Sequence, residues 1–176
     1  MHLSFLKYEV YVVDNYLRRK LMQEQNTEPL YPVPNLHQRV NLWNNKSSKD
    51  IKSFIGDLNN WDFISNIFLK IRPDVVIHYA EQPSAPYSMI SREGASLTLH
   101  NNIGVTKNVI FAIKEFVPNC HLIKLGTMGE YGTPNIDIEE GWIDIKHKGR
   151  KHKFLYPRQA GSLYHTTKIM DTDLLW

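Results

Sequence analysis

Apolar, β-branched runs alternate with helical segments along this chain of 176 residues. Four such runs lie at about residues 8–13, 51–55, 75–80 and 121–125, and a helical segment follows each of them. Parallel strands need long crossover connections, which are usually helical and right-handed. The β-α-β-α-β-α-β-α order therefore predicts an α/β fold with a Rossmann-like, doubly wound parallel sheet, formed by one domain over residues 1–176.

Apolar spacing and Gly or Pro positions set the bounds of the remaining segments. The nearly continuous apolar run at residues 75–80 predicts a strand that is covered on both faces. The stretch between residues 131 and 159 is rich in Gly, Pro and charge, and we interpret it as a long connection. Helices are predicted at residues 16–25, 35–43, 62–71 and 96–116 and around Tyr164.

Doubly wound sheets bind ligands at the carboxyl ends of their strands. Asp14 and Asp57 follow two of the predicted strands. Asp14 fits a ribose diol, which favours NAD over NADP, and fits the N-terminus of a helix equally well. Asp57 fits an adenine amino group or a turn. Arg18 and Arg19 keep NADP open, because Arg accommodates a 2′-phosphate.

Tyr164 and Lys168 have the Y-x-x-x-K spacing, which puts both side chains on one face of a helix. A Lys charge beside a Tyr lowers the pKa of the phenol, and such a Tyr can take a proton from a sugar hydroxyl. An exposed helix face is the alternative. Thr127 is a candidate hydroxyl beside this helix or a turn residue, and Glu130 is a candidate acid or base or an exposed loop carboxylate.

Composition and charge argue against several classes of function. The formal net charge of +3 is too small to indicate nucleic-acid binding, and the basic run at residues 146–153 is interpreted as a solvated loop. No apolar run reaches the length of a membrane span. The eight His residues show no metal-binding spacing, so no metal site is predicted. The single Cys120 suits a reducing compartment, and we predict a cytoplasmic protein.

Three stretches, at residues 78–89, 100–104 and 124–141, resemble the extended short-chain dehydrogenase/reductase family of NAD-dependent epimerases and dehydratases. The third stretch resembles in particular the branch of that family that forms UDP-sulfoquinovose. The resemblance extends from about His2 to Trp176. Other members of the family share only the Thr, the Tyr-Gly pair and Y-x-x-x-K.

The resemblance implies a reaction that joins UDP-glucose and sulfite and regenerates its NAD⁺. Tyr164 would deprotonate the sugar 4-hydroxyl, Lys168 would bind the nicotinamide ribose and tune Tyr164, and Thr127 would hydrogen-bond the 4-hydroxyl. Gln82 would contact the substrate together with Thr127. The 4-keto group then acidifies the C5 proton, water leaves across C5–C6, and sulfite adds. The implied NAD pocket contains Asp14, Asn15, Arg18, Asp57, Leu58, Asn101, Leu125, Tyr164 and Lys168.

Two residues depart from the family pattern. Met128 stands where 4,6-dehydratases have an Asp, which disfavours simple dehydratase chemistry and leaves Glu130 as the candidate acid. Pro83 stands where an Arg that holds an anion is expected, so the sulfite contact is unassigned. With Arg18 as a cofactor contact in an NAD enzyme, the case for NADP weakens.

No glycine-rich turn precedes the strand that ends at Asp14, although a dinucleotide fold needs one for the pyrophosphate. We therefore expect a fragment that lacks this first strand and turn and a C-terminal substrate domain, and that is inactive alone. The alternatives are a UDP-sugar 4-epimerase or dehydratase and a non-catalytic Rossmann-like remnant. Family members often dimerise through the Y-x-x-x-K helix, so the resemblance implies a homodimer for a completed chain.

Overall fold

The computed structural model describes residues 1–137 and 141–176, so residues 138–140 of the third family-like stretch lie outside it. The chain divides into two compact units, Met1–Arg72 and Pro73–Trp176. Each unit is described by itself, and the single domain over residues 1–176 stays a prediction.

The first unit pairs two parallel strands. β1 (Val10–Asp14) lies beside β2 (Ile51–Ile55), with Val10 opposite Ile51 and Asp14 opposite Ile55. The strands are accompanied by α1 (His2–Phe5), α2 (Leu17–Glu24), α3 (Leu36–Ser47) and α4 (Trp61–Ile71). The buried apolar side chains of this unit are Leu21, Val40, Ile51, Ile64, Ile67 and Phe68.

Side-chain caps set the beginnings of α3 and α4. Asn35 and Gln38 form a reciprocal capping box at the start of α3. The Asn60 side chain accepts a hydrogen bond from the Phe63 backbone N–H at 3.1 Å at the start of α4. α4 ends at Ile71, and Arg72 follows it in a left-handed conformation before Pro73. The predicted Asn35 cap is thereby confirmed, and α3 runs four residues past the predicted end, from 43 to 47.

The second unit also pairs two parallel strands. β3 (Val75–His78) lies beside β4 (His121–Lys124), with Val75 opposite His121 and His78 opposite Lys124. α5 (Tyr87–Ile90) and α6 (Arg92–Phe116) connect these strands, and α7 (Leu163–Leu175) follows later. The Ser91 side chain caps α6 by accepting from the Gly94 N–H at 3.0 Å, so the helix begins four residues before the predicted residue 96.

An antiparallel hairpin interrupts the predicted long connection. β5 (Trp142–His147) pairs with β6 (Arg150–Leu155), and the turn places Lys148 at φ 48° and Gly149 at φ 79°. Two consecutive positive φ values are typical of the tight turns that match the twist of hairpin strands. The basic run at residues 146–153 is therefore exposed, as predicted, but it is a hairpin tip and not an irregular loop. Almost every side chain of both strands is exposed, so no apolar alternation revealed them.

The α/β class and the parallel pairing of strands are confirmed, with one parallel pair in each unit. The prediction that β3 is covered on both faces is wrong. His78 is buried against Thr106 of α6, whereas Val75 and Ile77 project from the opposite face and are 51% and 44% exposed. In residues 1–137 and 141–176, no helix is both long and apolar enough to cross a bilayer.

Candidate active site

The N-terminal turn of α7 holds Tyr164 in the second unit. Ser162 caps this helix by accepting from the His165 N–H at 3.2 Å. The Tyr164 backbone N–H donates to the Ser88 hydroxyl at 3.1 Å, which ties α7 to α5. The Lys168 Nζ lies 5.7 Å from the centroid of the Tyr164 ring. The two side chains therefore share one face of a helix, as the Y-x-x-x-K spacing predicts.

Thr127 stands just beyond the carboxyl end of β4 and begins a 3₁₀ turn, Met128–Glu130. Its hydroxyl oxygen accepts from the Gly129 N–H at 3.3 Å, and its own N–H donates to Glu130 Oε1 at 3.3 Å. The turn role that stood as the alternative is therefore present. A hydroxyl that accepts can still donate its own hydrogen, so this contact leaves a role toward substrate chemically open.

Glu130 is buried, with 5% of its surface exposed, so the alternative of an exposed loop carboxylate is wrong. Its Oε1 accepts from the Thr127 N–H, and its Oε2 accepts from the Thr172 hydroxyl at 3.2 Å. Arg158 Nε lies 3.8 Å from the same Oε2. These contacts fasten the 3₁₀ turn to α7, and the acid or base role of Glu130 stays a prediction.

Lys168 belongs to a buried cluster of charges. Its Nζ forms an ion pair with Glu81 Oε2 and donates to the Leu125 carbonyl at 3.0 Å. Glu81 Oε1 lies 2.5 Å from Lys124 Nζ, and the same Nζ lies 3.0 Å from Asp171 Oδ2. These four side chains are at most 8% exposed. Sequence reasoning missed Glu81, Lys124 and Asp171. The signal that could have found Lys124 is its position as the ionisable last residue of β4.

Burial and pairing shift the pKa values within this cluster. Burial opposes the charge on Glu81, but Lys124 and Lys168 hold the pKa of Glu81 below its usual range. Burial acts against Lys124 too, yet Glu81 and Asp171 together raise its pKa. Burial lowers the pKa of Lys168, Glu81 opposes that shift and Lys124 adds to it, so the pKa of Lys168 is lowered overall. The pKa of Lys124 is raised whereas that of Lys168 is lowered, because Lys124 contacts two carboxylates.

Burial also shifts the pKa values of His78 and Asp171 toward their neutral forms. Burial lowers the pKa of His78 to about 4, and burial raises the pKa of Asp171 to about 6, with Glu81 adding to the latter shift. His78 Nε2 lies 3.1 Å from the Thr106 hydroxyl and 3.5 Å from Glu81 Oε1. The histidine is therefore an uncharged hydrogen-bonding partner at neutral pH.

The predicted lowering of the Tyr164 pKa is wrong. Burial, followed by the nearby Glu81 carboxylate, raises the pKa of Tyr164. The Lys168 charge is compensated by its ion pair with Glu81, so its effect on the phenol is weakened. The spacing of Tyr164 and Lys168 was predicted from the sequence, but the carboxylate next to the lysine was not.

Gln82, in the loop after β3, and Asn101, on α6, belong to one buried network of amide side chains. Gln82 is 2% exposed, and its Nε2 donates to the Thr98 hydroxyl at 2.7 Å and to the Ser84 carbonyl at 3.0 Å. Asn101 Nδ2 donates to Asn102 Oδ1 at 3.0 Å. These contacts hold the loop after β3 on α6. A contact of Gln82 with substrate, or of Asn101 with a cofactor, stays a prediction.

The predicted cofactor residues of the first unit lie at the carboxyl ends of β1 and β2. Asp14 Oδ1 accepts from the Tyr16 N–H at 2.7 Å, and Asn15 Oδ1 accepts from the Leu17 N–H at 2.9 Å, so both side chains form local turns at the entry to α2. Asp57 Oδ1 accepts from the Asn59 N–H at 2.8 Å. Arg18 is exposed on α2, and Leu58 is partly buried. The local alternatives are present, and the NAD contacts stay predictions.

In the described residues, neither a cleft nor a set of metal ligands identifies a second candidate active site. A cleft of about 550 Å³ is lined by residues of β5, β6 and their neighbours, such as Trp142 and Tyr156, and contains none of the charged cluster. Within the described part of the chain, no three His, Cys, Asp or Glu side chains are arranged to hold a metal ion. The charged cluster beside Tyr164 is therefore the candidate active site.

The fold and this site define an α/β protein with a Tyr-Lys pair at the carboxyl ends of parallel strands. Residues 13–174 match the profile of the NAD dependent epimerase/dehydratase family, and the chain belongs to that family. It is 48% identical over 172 residues to the chloroplastic UDP-sulfoquinovose synthase of Spinacia oleracea, covering 98% of this chain and 36% of the relative. It is 41% identical over 169 residues to UDP-sulfoquinovose synthase of Sulfolobus acidocaldarius, covering 96% of this chain and 43% of the relative.

Solved structures support the same fold. UDP-glucose 4-epimerase from Brucella ovis in complex with NAD has a TM-score of 0.60 at 17% identity, covering 96% of this chain and 47% of that one. The Bifidobacterium longum UDP-glucose 4-epimerase, in complex with NAD⁺ and UDP, has a TM-score of 0.62 at 16% identity, covering 94% and 48%. These identities show the fold alone. The chain spans between about a third and a half of the length of the proteins it matches.

Proposed function

We propose that this chain carries the catalytic Tyr-Lys pair of an NAD-dependent enzyme that converts UDP-glucose and sulfite into UDP-sulfoquinovose. The observation that supports the proposal best is the placement of Lys168 Nζ 5.7 Å from the Tyr164 ring, beside the carboxyl end of β4. The names of the relatives at 41% and 48% identity supply the substrate class.

The residues present fit only part of NAD. Tyr164 and Lys168 suit the nicotinamide ribose, and Asp14 suits a ribose diol at the end of β1. The first glycine of the chain is Gly56, so no glycine turn stands ahead of β1 for the pyrophosphate. When bound, NAD⁺ would supply the acceptor for the hydride that leaves sugar C4.

The residues of this chain would handle the proton of the sugar 4-hydroxyl. Thr127 would donate a hydrogen bond to that oxygen, and the Tyr164 oxygen would take its proton and return it at the end of the cycle. The 4-keto group formed between these steps acidifies C5–H, water leaves across C5–C6, and the sulfite sulfur bonds to C6. Because burial raises the pKa of Tyr164, proton transfer to its oxygen would depend on the Lys168 ammonium nearby, although the ion pair with Glu81 weakens the effect of that charge.

A second candidate function is UDP-sugar 4-epimerisation, since the solved structures of similar fold are UDP-glucose 4-epimerases. Their identities of 16% and 17% carry no statement about reaction type. Met128, which follows Thr127, is 88% exposed and has no acidic group, so the carboxylate of a simple dehydratase is absent from that position. Glu130 is the nearest carboxylate in sequence, and we keep it as the candidate acid.

The test uses residues 13–174 joined to the flanking segments of the Spinacia oleracea relative. Mass spectrometry would follow UDP-sulfoquinovose formation from UDP-glucose and sulfite. Tyr164→Phe should lower the rate by about 10²–10⁴-fold, the usual contribution of a general acid or base. Tyr31→Phe removes the same atom at an exposed position and should leave the rate unchanged. An unchanged rate in Tyr164→Phe would remove Tyr164 from catalysis.

The non-catalytic alternative applies to the 176 residues by themselves. Without a glycine turn ahead of β1, we expect this chain alone not to bind NAD measurably. Isothermal titration calorimetry tests this, and micromolar binding would contradict it. The cytoplasmic location and the homodimer of an extended chain stay predictions from the sequence.

A further inference from the structure

The Glu81 carboxylate lies between two buried ammonium groups. Its Oε2 pairs with Lys168 and its Oε1 lies 2.5 Å from Lys124. The Thr106 hydroxyl donates to Oε1 at 3.1 Å. The side chains of Glu81 and Lys168 are each 4% exposed, so water screens this pair very little. A buried charge is tolerated only when it is paired and hydrogen-bonded, and Glu81 meets both conditions.

Lys168 depends on Glu81 more than Lys124 does. Lys124 keeps Asp171 at 3.0 Å as a second carboxylate, whereas the described contacts of Lys168 Nζ are Glu81 and the Leu125 carbonyl. Without the Glu81 charge, the two buried ammonium groups would face each other with no carboxylate between them. Lys168, still buried beside Lys124, would then lose its proton more readily.

We propose that Glu81 is the positioning residue for Lys168: its buried carboxylate fixes the Lys168 ammonium one helical turn from Tyr164. Lys124 and Asp171 in turn hold Glu81 in place. This inference rests on the proposed function only for its catalytic consequence, because the position and charge of Lys168 can be measured without turnover.

Every element around Lys168 contributes a group that must be considered in a titration. β3 contributes His78, which burial keeps neutral at neutral pH, and β4 contributes Lys124. α7 contributes Tyr164 and Asp171, and the 3₁₀ turn contributes Glu130, whose charge acts on Tyr164. The loop after β3 contributes Glu81, which is the anion in direct contact with the Lys168 Nζ.

The test is a ¹³C NMR titration of the whole 176-residue chain labelled with [ε-¹³C]lysine, between pH 6 and 11. Loss of a signal in Lys168→Arg assigns Lys168. Glu81→Gln should lower the Lys168 midpoint by about one pH unit or more, since an opposite charge in contact shifts a pKa by about 1–3 units. The neutral amine would then be about 10-fold more abundant at a pH below both midpoints.

Glu115→Gln is the matched control, because Glu115 is an exposed carboxylate on α6 and its loss should leave the Lys168 midpoint unchanged. Loosening of the structure would raise the Lys168 midpoint toward that of an exposed lysine. An unchanged or raised midpoint in folded Glu81→Gln therefore overturns the proposal.

A second variant covers the case in which Glu81→Gln does not fold. In Lys124→Met, the Glu81 carboxylate is paired with Lys168 and no longer with Lys124. The Lys168 midpoint should therefore rise, in the direction opposite to the shift expected in Glu81→Gln. An unchanged or lowered midpoint in that variant overturns the proposal as well. These measurements need no substrate, so their failure leaves the proposed function standing. If the extended chain formed no sulfosugar, the proposed function would be contradicted, whereas the result of the Lys168 titration would still stand.

Discussion

Lys124 and Asp171 form an ion pair of 3.0 Å that joins the last residue of β4 to the third turn of α7. Both side chains are almost fully buried, at 8% and 2% exposure. This pair links the strand that precedes Thr127 to the helix that carries Tyr164 and Lys168. The cluster around it therefore makes the stability of the second unit depend on pH.

Asp171 should make the protein less stable as the pH rises from about 4 to 6. Burial raises the pKa of Asp171 to about 6 from 3.8, so the folded state binds the proton more tightly than the unfolded state in this window. A shift of about two units corresponds to about 3 kcal/mol of stability lost over that range. In urea unfolding at pH 4 and 7, Asp171→Asn should lack the loss of stability that wild type shows between these two pH values. Asp173→Asn, on the exposed side of α7, is the control, and an equal pH dependence in Asp171→Asn and wild type would contradict the prediction.

His78 should act in the opposite direction over the same window. Burial lowers the pKa of His78 to about 4 from 6.5, so the unfolded state binds the extra proton and stability falls as the pH drops from about 6.5 to 4. The shift corresponds to about 3 kcal/mol, which offsets the Asp171 contribution. His78→Gln should therefore lose less stability on acidification than wild type does. His121→Gln, an exposed histidine on β4, should follow wild type, and so would His78→Gln if the prediction were wrong.

Asn102 should be among the residues most costly to truncate in the second unit. It is fully buried, accepts from the Gln82 N–H at 2.8 Å, and donates to the Gln82 carbonyl and the Thr167 hydroxyl at 3.1 Å each. Asn102→Ala leaves buried backbone groups without partners, so we expect a loss of about 3 kcal/mol. Chemical denaturation measures it against Asn45→Ala, an exposed position on α3. A loss below about 1 kcal/mol would show that water replaces these contacts.

The hairpin turn should be sensitive to backbone conformation alone. Gly149 has a φ of +79°, and a Cβ added there would meet no heavy atom within 4 Å. Gly149→Ala should therefore cost about 1–2 kcal/mol through left-handed strain and nothing through steric contact. Gly161→Ala has the same open surroundings without the positive φ and is the control. Equal thermal unfolding midpoints of the two variants would contradict the turn geometry.

Local patterns were enough to predict most of the elements. α4 was recognisable from its apolar spacing, and its observed bounds, Trp61–Ile71, differ by one residue from the predicted 62–71. The hairpin β5–β6 was not recognisable, because nearly all of its side chains are exposed and the apolar alternation that marks a half-buried strand is missing. A Gly after Lys148 was the one local sign of the turn.

The sequence by itself determined the α/β class, the parallel pairing of strands and the shared face of Tyr164 and Lys168, because these follow from the alternation of short segments and from spacings of a few residues. Only the tertiary structure decided the electrostatic environment of that pair. Glu81 and Lys168 are 87 positions apart, and Lys124 and Asp171 are 47 apart. No local period brings such charges together. Burial of Tyr164, followed by the Glu81 carboxylate, raises the pKa of Tyr164 where the local spacing alone predicted a decrease.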